Sequence, residues 1–367
     1  MHVVVAPDSF KGSASAPDVA SALADGWRSV RPGDTVELVP MADGGEGTLD
    51  AFEVALPGSR RFPVRVPGPI GEQVDADWLL LPDGSGVVEL ASTSGITLLD
   101  TLQPLDAQAT GFGVAIEAAL EAGVGALYLA VGGSSSTDGG VGALRALGAR
   151  FLDAAGDDIP PGGRGLLRLA AVDLTGLAAL PAGGVFLLCD VTNPLLGPTG
   201  SAAVFGPQKG ASPSDVADLE AGLSRLAGLV DVDQGAPGAG AAGGTAFGML
   251  AWGARLQLGS SAIGELLGLP GRIDRADVVL TGEGRYDDQS ASGKVAGYVR
   301  GLAAASGVDA LLAAGGIAAP TNGFAGAAEL VALAGSLEAA LDDPLRWLRA
   351  AGAALAGGYD SAEVRGG

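Results

Sequence analysis

Cysteine and histidine are almost missing from this 367-residue chain, which carries one of each, Cys189 and His2. A single cysteine excludes an intramolecular disulfide and any cysteine-built zinc or iron–sulfur site. A single histidine excludes zinc sites made of several imidazoles, and it leaves a Ser-His-Asp triad only if His2 itself serves. His2 opens the first apolar run and reads as structural. A general base then falls to Asp or Glu, and any metal to a hard ion on carboxylate and phosphate oxygens, hence Mg2+. Positive charge is scarce too: Lys+Arg 21 against Asp+Glu 42 leave a formal charge of −21. So acidic a chain repels nucleic acid and anionic lipid, which excludes a nucleic-acid partner. No apolar run reaches the roughly 18 residues that cross a bilayer, and the opening Met1-His2-Val3-Val4-Val5-Ala6-Pro7-Asp8 has no basic segment ahead of an apolar one. The expectation is a soluble cytoplasmic protein with no membrane partner, either monomer or homodimer.

Lysine is the next scarcity. Only Lys11, Lys209 and Lys294 occur; every other basic side chain except His2 is arginine. All three stand in Gly/Ser/Gln-rich stretches: Asp8-Ser9-Phe10-Lys11-Gly12-Ser13, Gly206-Pro207-Gln208-Lys209-Gly210 and Ser292-Gly293-Lys294. An ammonium is a compact point charge that suits phosphate or carboxylate in a tight pocket where a flat guanidinium does not fit. The plain alternative is three surface lysines; recurrence in glycine loops favours function.

What is abundant is glycine, 62 residues, without a collagen period. Val3–Pro7 reads as a buried strand ending in the Asp8–Ser13 loop, and Ser15 caps a helix to about Val30 with Pro17 in its first turn. Thr35–Val39 is a second strand, followed by Met41-Ala42-Asp43-Gly44-Gly45-Glu46-Gly47 and a helix from Thr48. Strand, glycine loop and helix, repeated, is the grammar of a parallel sheet. Phe62–Val66, Asp77–Leu81 and Gly86–Leu90 read as antiparallel strands. Ala107–Ala122 reads as a helix and Ala126–Val131 as a strand running into a Gly132–Gly140 loop. Val185–Asp190 is another strand, with helices at about Pro213–Val230 and Thr245–Leu256. Parallel grammar returns with Asp277–Thr281, a Gly282–Gln289 loop and a helix from about Ser292. Ala310–Ala314 and Leu330–Ala334 read as strands and Leu337–Leu355 as one helix, while Ala236–Gly244 and the last dozen residues read as flexible. The implied fold is α/β with two domains: a parallel-sheet, Rossmann- or flavodoxin-like domain from both chain ends (1–65 and 266–367), and an inserted α/β domain (66–265). The active site is expected in the cleft between them.

Among motifs, Gly238-Ala239-Gly240-Ala241-Ala242-Gly243 matches a dinucleotide fingerprint but follows no strand, and no G-x-x-x-x-G-K-[ST] phosphate loop occurs. The stretch Gly132-Gly133-Ser134-Ser135-Ser136-Thr137-Asp138-Gly139-Gly140 is stronger. Successive N–H groups and hydroxyls between a strand and a helix form an anion cradle, or else a tight turn. Acids recur among the glycines: Asp43 and Glu46, Asp138, and Glu283, Asp287 and Asp288. Each alone reads equally as a turn former. Together with the lysines they supply carboxylates for Mg2+ and cations for phosphate, the parts of a phosphoryl-transfer site. Asp190, at a strand end beside Asn193, is the best single carboxylate for a base. Cys189 beside it reads as an ordinary buried residue.

These segments resemble a known family. Ala6–Ser13 and Pro40–Thr48 resemble the opening signatures of the bacterial type-1 glycerate kinases, and Gly132–Gly140 their central glycine/serine loop. Cys189–Gly197, Gly206–Gly210 and Thr281–Asp287 resemble the later signatures. The likeness runs in order over about residues 3 to 300. One departure is Ser134-Ser135-Ser136-Thr137, where the family often carries Ser-Ala-Thr-Asn. The resemblance implies a two-domain α/β enzyme that uses ATP and Mg2+ to phosphorylate D-glycerate, usually to 2-phosphoglycerate, with the 3-hydroxyl as the alternative.

On that reading Asp190 accepts or orients the attacking hydroxyl, and Lys209, Lys11 and Arg285 stabilise charge on the transferred phosphoryl. Asp43, Asp138 and Asp287 hold Mg2+. Asp8, Ser9, Gly44, Gly45, Gly132, Gly133, Ser134, Ser135, Ser136 and Thr137 bind substrate or nucleotide, as do Asn193, Gln208, Gly282, Glu283, Gly284 and Lys294. Two rivals remain. A non-catalytic hydroxy-acid-binding protein would need the cleft but no nucleotide, and a dehydrogenase would need a true dinucleotide fingerprint.

Overall fold

A computed structural model describes residues 1–291 and 294–359. Its strands are β1 (His2–Val5), β2 (Thr35–Leu38), β3 (Arg60–Pro67), β4 (Gln73–Leu80), β5 (Gly86–Glu89), β6 (Leu127–Ala130), β7 (Arg150–Leu152), β8 (Ala171–Asp173), β9 (Val185–Leu188), β10 (Arg255–Gln257), β11 (Val278–Tyr286), β12 (Asp309–Ile317) and β13 (Gly326–Glu329). Chain contacts separate two compact units: Met1–Asp43 with Asp50–Pro57 and Ser260–Gly367, and Gly44–Leu49 with Gly58–Gly259. Both are α/β, with parallel strands at their centres, as the composition of the apolar runs predicts. Among the described residues no helix is long and apolar enough to cross a membrane.

The first unit is built on a five-stranded sheet of order β13-β12-β11-β1-β2, parallel throughout. Val3 lies between Val278 of β11 and Val36 of β2. Val3, Val4 and Val5 have no exposed surface, which is why the strand reads as an unbroken apolar run; a parallel strand is covered on both faces. One face packs against the helices Ala16–Val30 and Pro344–Gly358 through Val19, Leu23, Trp27, Leu348 and Leu355. Ser15 caps the first of these, accepting from the N–H of Asp18, with proline in the first turn. The two helices touch backbone to backbone. A Cβ on Gly26 would collide with the Arg349 carbonyl, and one on Gly352 with the Leu23 carbonyl.

The second unit holds a six-stranded sheet, β10-β9-β6-β5-β4-β3, parallel from β10 to β5 and antiparallel over β4 and β3. Phe62 stands opposite Trp78 across β3 and β4, their rings stacked 4.6 Å apart. Phe112 and Ile116 of the helix Thr110–Glu121 pack on Leu127 and Leu129 of β6. The strand at 60–67 belongs to this unit although an inserted domain was expected to begin at 66, because its whole length pairs with β4.

Several local expectations change. The Gly282–Arg285 segment is not loop: β11 runs on to Tyr286, held by β12 through pairs such as Thr281 with Leu312 and Arg285 with Gly316. Leu330–Ala334 is helix, and the strand is the preceding Gly326–Glu329; a short apolar run does not distinguish the two. The long final helix is two, Leu337–Asp342 and Pro344–Gly358, because Pro344 cannot continue the first. Arg255–Gln257 is a strand rather than helix end, and Ala241–Gly244 is a buried 3-10 turn rather than a flexible stretch. Ser292 and Gly293, and the tail from 360 on, lie outside the described residues.

Gly26→Val should therefore force the two helices of the first unit apart. Overpacking of this kind costs about 1–3 kcal/mol, and a thermal melt should show the midpoint lowered by several degrees.

Candidate functional site

In the five-stranded sheet the chain passes from β1 outward to β2 on one side, and from β11 to β12 and β13 on the other. The switch point therefore lies between β1 and β11, and the crevice outside the strands' carboxyl ends at such a point is where ligands bind. The segments there carry the expected residues. The N–H of Asp8 donates to the Gly282 carbonyl at 2.8 Å, and the N–H of Ser9 to Asp8 Oδ1 at 2.7 Å. Gly284 lies beside the backbone of Phe10 and Lys11. Lys11 Nζ donates to Asp43 Oδ2 at 2.8 Å while its side chain stays 69% exposed.

Two acids of this group are buried. Asp8 is 6% exposed; burial first, then the charge of Asp43, pushes its carboxyl up to about 8, with Lys11 opposing. Glu283 is 7% exposed and its pKa is also raised by burial, opposed by a hydrogen bond from Ser290 and by the charge of Lys294. Ser290 Oγ donates to Glu283 Oε2 at 2.6 Å, and Glu283 Oε1 has no partner among the described residues. The N–H of Ser290 donates to Asp287 Oδ1. Arg285 is exposed on β11, and Lys294 precedes the helix Val295–Ser306.

In the second unit the glycine loops gather at the carboxyl edge of the six-stranded sheet. The N–H of Gly132 donates to the Gly44 carbonyl at 2.8 Å, and a Cβ on Gly132 would strike Gly45. Glu89, at the end of β5, accepts from the N–H of Leu49 and so ties down the Gly44–Leu49 stretch. Ser135 donates through both N–H and Oγ to the Ser94 carbonyl. Asp138 accepts from the N–H groups of Ala109, Gly140 and Gly142. Lys209 Nζ donates to Ser134 Oγ at 2.7 Å and to the Ser136 carbonyl at 2.5 Å. Its ammonium is 3% exposed, and burial pulls it down to about 7, with the charge of Asp138 opposing.

The structure thus assembles Asp8, Ser9, Lys11, Asp43, Gly282, Glu283 and Gly284 in the first unit, and Gly44, Gly45, Gly132–Asp138 and Lys209 in the second. Two of the expected residues are engaged within their own loops. Lys209 was expected on the transferred phosphoryl, but it is buried and holds a loop. Asp138 was expected on Mg2+, but both its oxygens are engaged by main-chain N–H groups, which makes it a clamp on its own loop. Among the described residues no group of three or more His, Cys, Asp or Glu is placed to hold a metal. Gln208 is exposed, and the Asn193 amide is spent on the Thr199 carbonyl. Asp190 stands half-buried just past β9. Glu89 and Ser290 escaped sequence reasoning. A buried acid closing the apolar run Val87-Val88 was a legible signal for Glu89; nothing local marked Ser290.

Comparison with known proteins decides the family. The description "Glycerate kinase family" matches residues 3–359. The chain belongs to the glycerate kinase family. It is 42% identical over 306 residues to a glycerate 2-kinase of Escherichia coli (strain K12), covering 80% of each chain. It is 40% identical over 332 residues to a glycerate kinase of Bacillus subtilis (strain 168), covering 88% of this chain and 87% of that one. A crystal structure from Salmonella typhimurium LT2, of a chain assigned as a glycerate kinase 2, superposes with a TM-score of 0.83 at 38% identity over 97% of both chains. The α/β fold and the kinase class that the motifs implied both stand.

The buried Asp8 carboxyl sets a pH dependence. Folded, it keeps its proton to about pH 8; unfolded, it releases it at the ordinary carboxylate value. Across that window the folded chain binds more protons, so this group's contribution to stability falls as pH rises. Asp8→Asn should flatten the fall, read as the difference in denaturant midpoint between about pH 5 and about pH 8.5.

Proposed function

We propose that this chain transfers the γ-phosphoryl group of ATP to D-glycerate, at the 2-hydroxyl. The observation that carries the reading is the family match over residues 3–359, and the glycerate 2-kinase relative supports the position. The glycine, lysine and carboxylate clusters supply the chemistry.

The hydroxyl oxygen of glycerate forms a bond to the γ-phosphorus as the bond from that phosphorus to the bridging oxygen breaks, and ADP leaves with the electron pair. The hydroxyl proton goes to a carboxylate. Asp8 keeps its own proton to about pH 8 and is a poor acceptor at neutral pH, so the acceptor is Asp190, past the end of β9. The loop Gly132–Thr137 and Lys11 bind anionic oxygens of the reactants, and Arg285 and Lys294 supply further positive charge in the first unit. Holding two reactants in register supplies roughly 7–11 kcal/mol of barrier lowering.

The donor set fits Mg2+, which takes hard oxygens and commonly binds through one or two carboxylates plus substrate phosphates. The buried Glu283 Oε1, which lacks a partner among the described residues, calls for a cation or a proton donor. Asp43 and Asp287 would hold the ion, with substrate phosphates completing its shell. When bound, it neutralises phosphate charge in the transition state.

Phosphorus NMR of the product from D-glycerate and Mg-ATP should show 2-phosphoglycerate; 3-phosphoglycerate would overturn the position, and no product the reading itself. Asp190→Asn should lower kcat by at least about 10²-fold if Asp190 takes the proton.

A further inference from the structure

The second unit buries an ammonium group that no carboxylate touches among the described residues. Lys209 Nζ has three protons to donate, and its acceptors are Ser134 Oγ and the Ser136 carbonyl. Asp138, the one acid whose charge acts on it, is occupied by the N–H groups of Ala109, Gly140 and Gly142. Ser134 is placed just as firmly. It bridges to Gly95, while its neighbour Ser135 is tied to the Ser94 carbonyl by main chain and side chain.

The consequence lies in the serine hydroxyl. Its oxygen accepts the ammonium proton, so its own O–H must donate elsewhere, and among the described residues no acceptor takes it. A hydroxyl that accepts from a cation is polarised into a stronger donor. A buried donor left unmatched is costly, and two hydroxyls of the same loop, Ser136 Oγ and Thr137 Oγ1, are buried and have no partner among the described residues. The loop leaves the carboxyl end of β6, the edge where ligands of parallel sheets bind. What such a donor matches is an anionic oxygen.

We propose that the Ser134 hydroxyl donates to an anionic oxygen of a bound reactant, carboxylate or phosphate, and that Lys209 is a positioning residue that acts through Ser134 without touching the reactant. This rests on the kinase reading above and divides labour within it. The ammonium orients and polarises the hydroxyl, and the hydroxyl makes the contact. It also accounts for lysine at this place: a guanidinium is too broad for a pocket that leaves 3% of the side chain exposed.

A double-mutant cycle tests it. Wild-type turnover of D-glycerate with Mg-ATP is measured first; its absence would sink the kinase reading, whereas everything below bears on Ser134 and Lys209 alone. Ser134→Ala and Lys209→Met should each lower kcat/KM by at least about 10-fold, and the double variant should stay within about 3-fold of the Lys209→Met enzyme. A raised KM for glycerate assigns the contact to the carboxylate, and a raised KM for ATP assigns it to a phosphate. Melting temperatures should stay close to wild type, and Ser134→Thr, which keeps the hydroxyl, should recover most of the lost activity. Additive losses would overturn the relay, as would a Ser134→Ala enzyme with kcat and both KM values within about 2-fold of wild type. Should Lys209→Met fail to fold, the Ala and Thr replacements at Ser134 decide the contact, and Lys209→Gln takes the place of Lys209→Met in the cycle with the same outcomes.

Discussion

A parallel strand cannot turn back beside its neighbour; the chain must cross over the sheet and begin again at the same end. Every segment leaving a strand in such a sheet therefore lands on one edge. In both units of this protein that constraint gathers short polar stretches far apart in sequence: Asp8, Asp43 and Glu283 in one, Gly132–Asp138, Asp190 and Glu89 in the other. These residues need not be neighbours in the chain, because the topology makes them neighbours at an edge.

At those edges the protein buries ionisable groups. A carboxyl that holds its proton to about pH 8 and an ammonium pulled down to about 7 are both signs of charge taken out of water. The surroundings limit the cost with local hydrogen bonds: the Ser9 N–H on Asp8, the Ser290 hydroxyl on Glu283, Ser134 and Ser136 on Lys209. Glycines let these loops approach one another by main chain alone, as Gly132 does with Gly44 and Gly45. Shape is set by backbone, and charge is then placed on it.

Much of this was readable from residue order. The buried runs Val3–Val5 and Val278–Leu280 announced themselves because strands covered on both faces have no polar alternation to hide them. Ser15 and Pro17 marked a helix start by chemistry that works within one turn. The glycine loops carried the family likeness intact. What was not readable depended on distant partners. Gly282–Arg285 looks like loop until β12 is beside it, and Leu330–Ala334 is apolar enough for either regular structure. The role of Lys209 was hidden for the same reason. Scarcity pointed to that ammonium, but only the fold shows that it faces Ser134 and not the solvent.

The pairing of Val3 with Val278 carries one more consequence. The central pair of the five-stranded sheet joins strands far apart in sequence, and its covering helix Pro344–Gly358 comes later still. Until β11 is made, β1 has β2 and the helix Ala16–Val30 beside it, and its other edge stays open. The six-stranded sheet, whose strands run from 60 to 257, has all its members before β11 exists. Sequence separation of this size slows folding and lengthens exposure to aggregation, so the nascent amino-terminal strand is where a chaperone has most to shield.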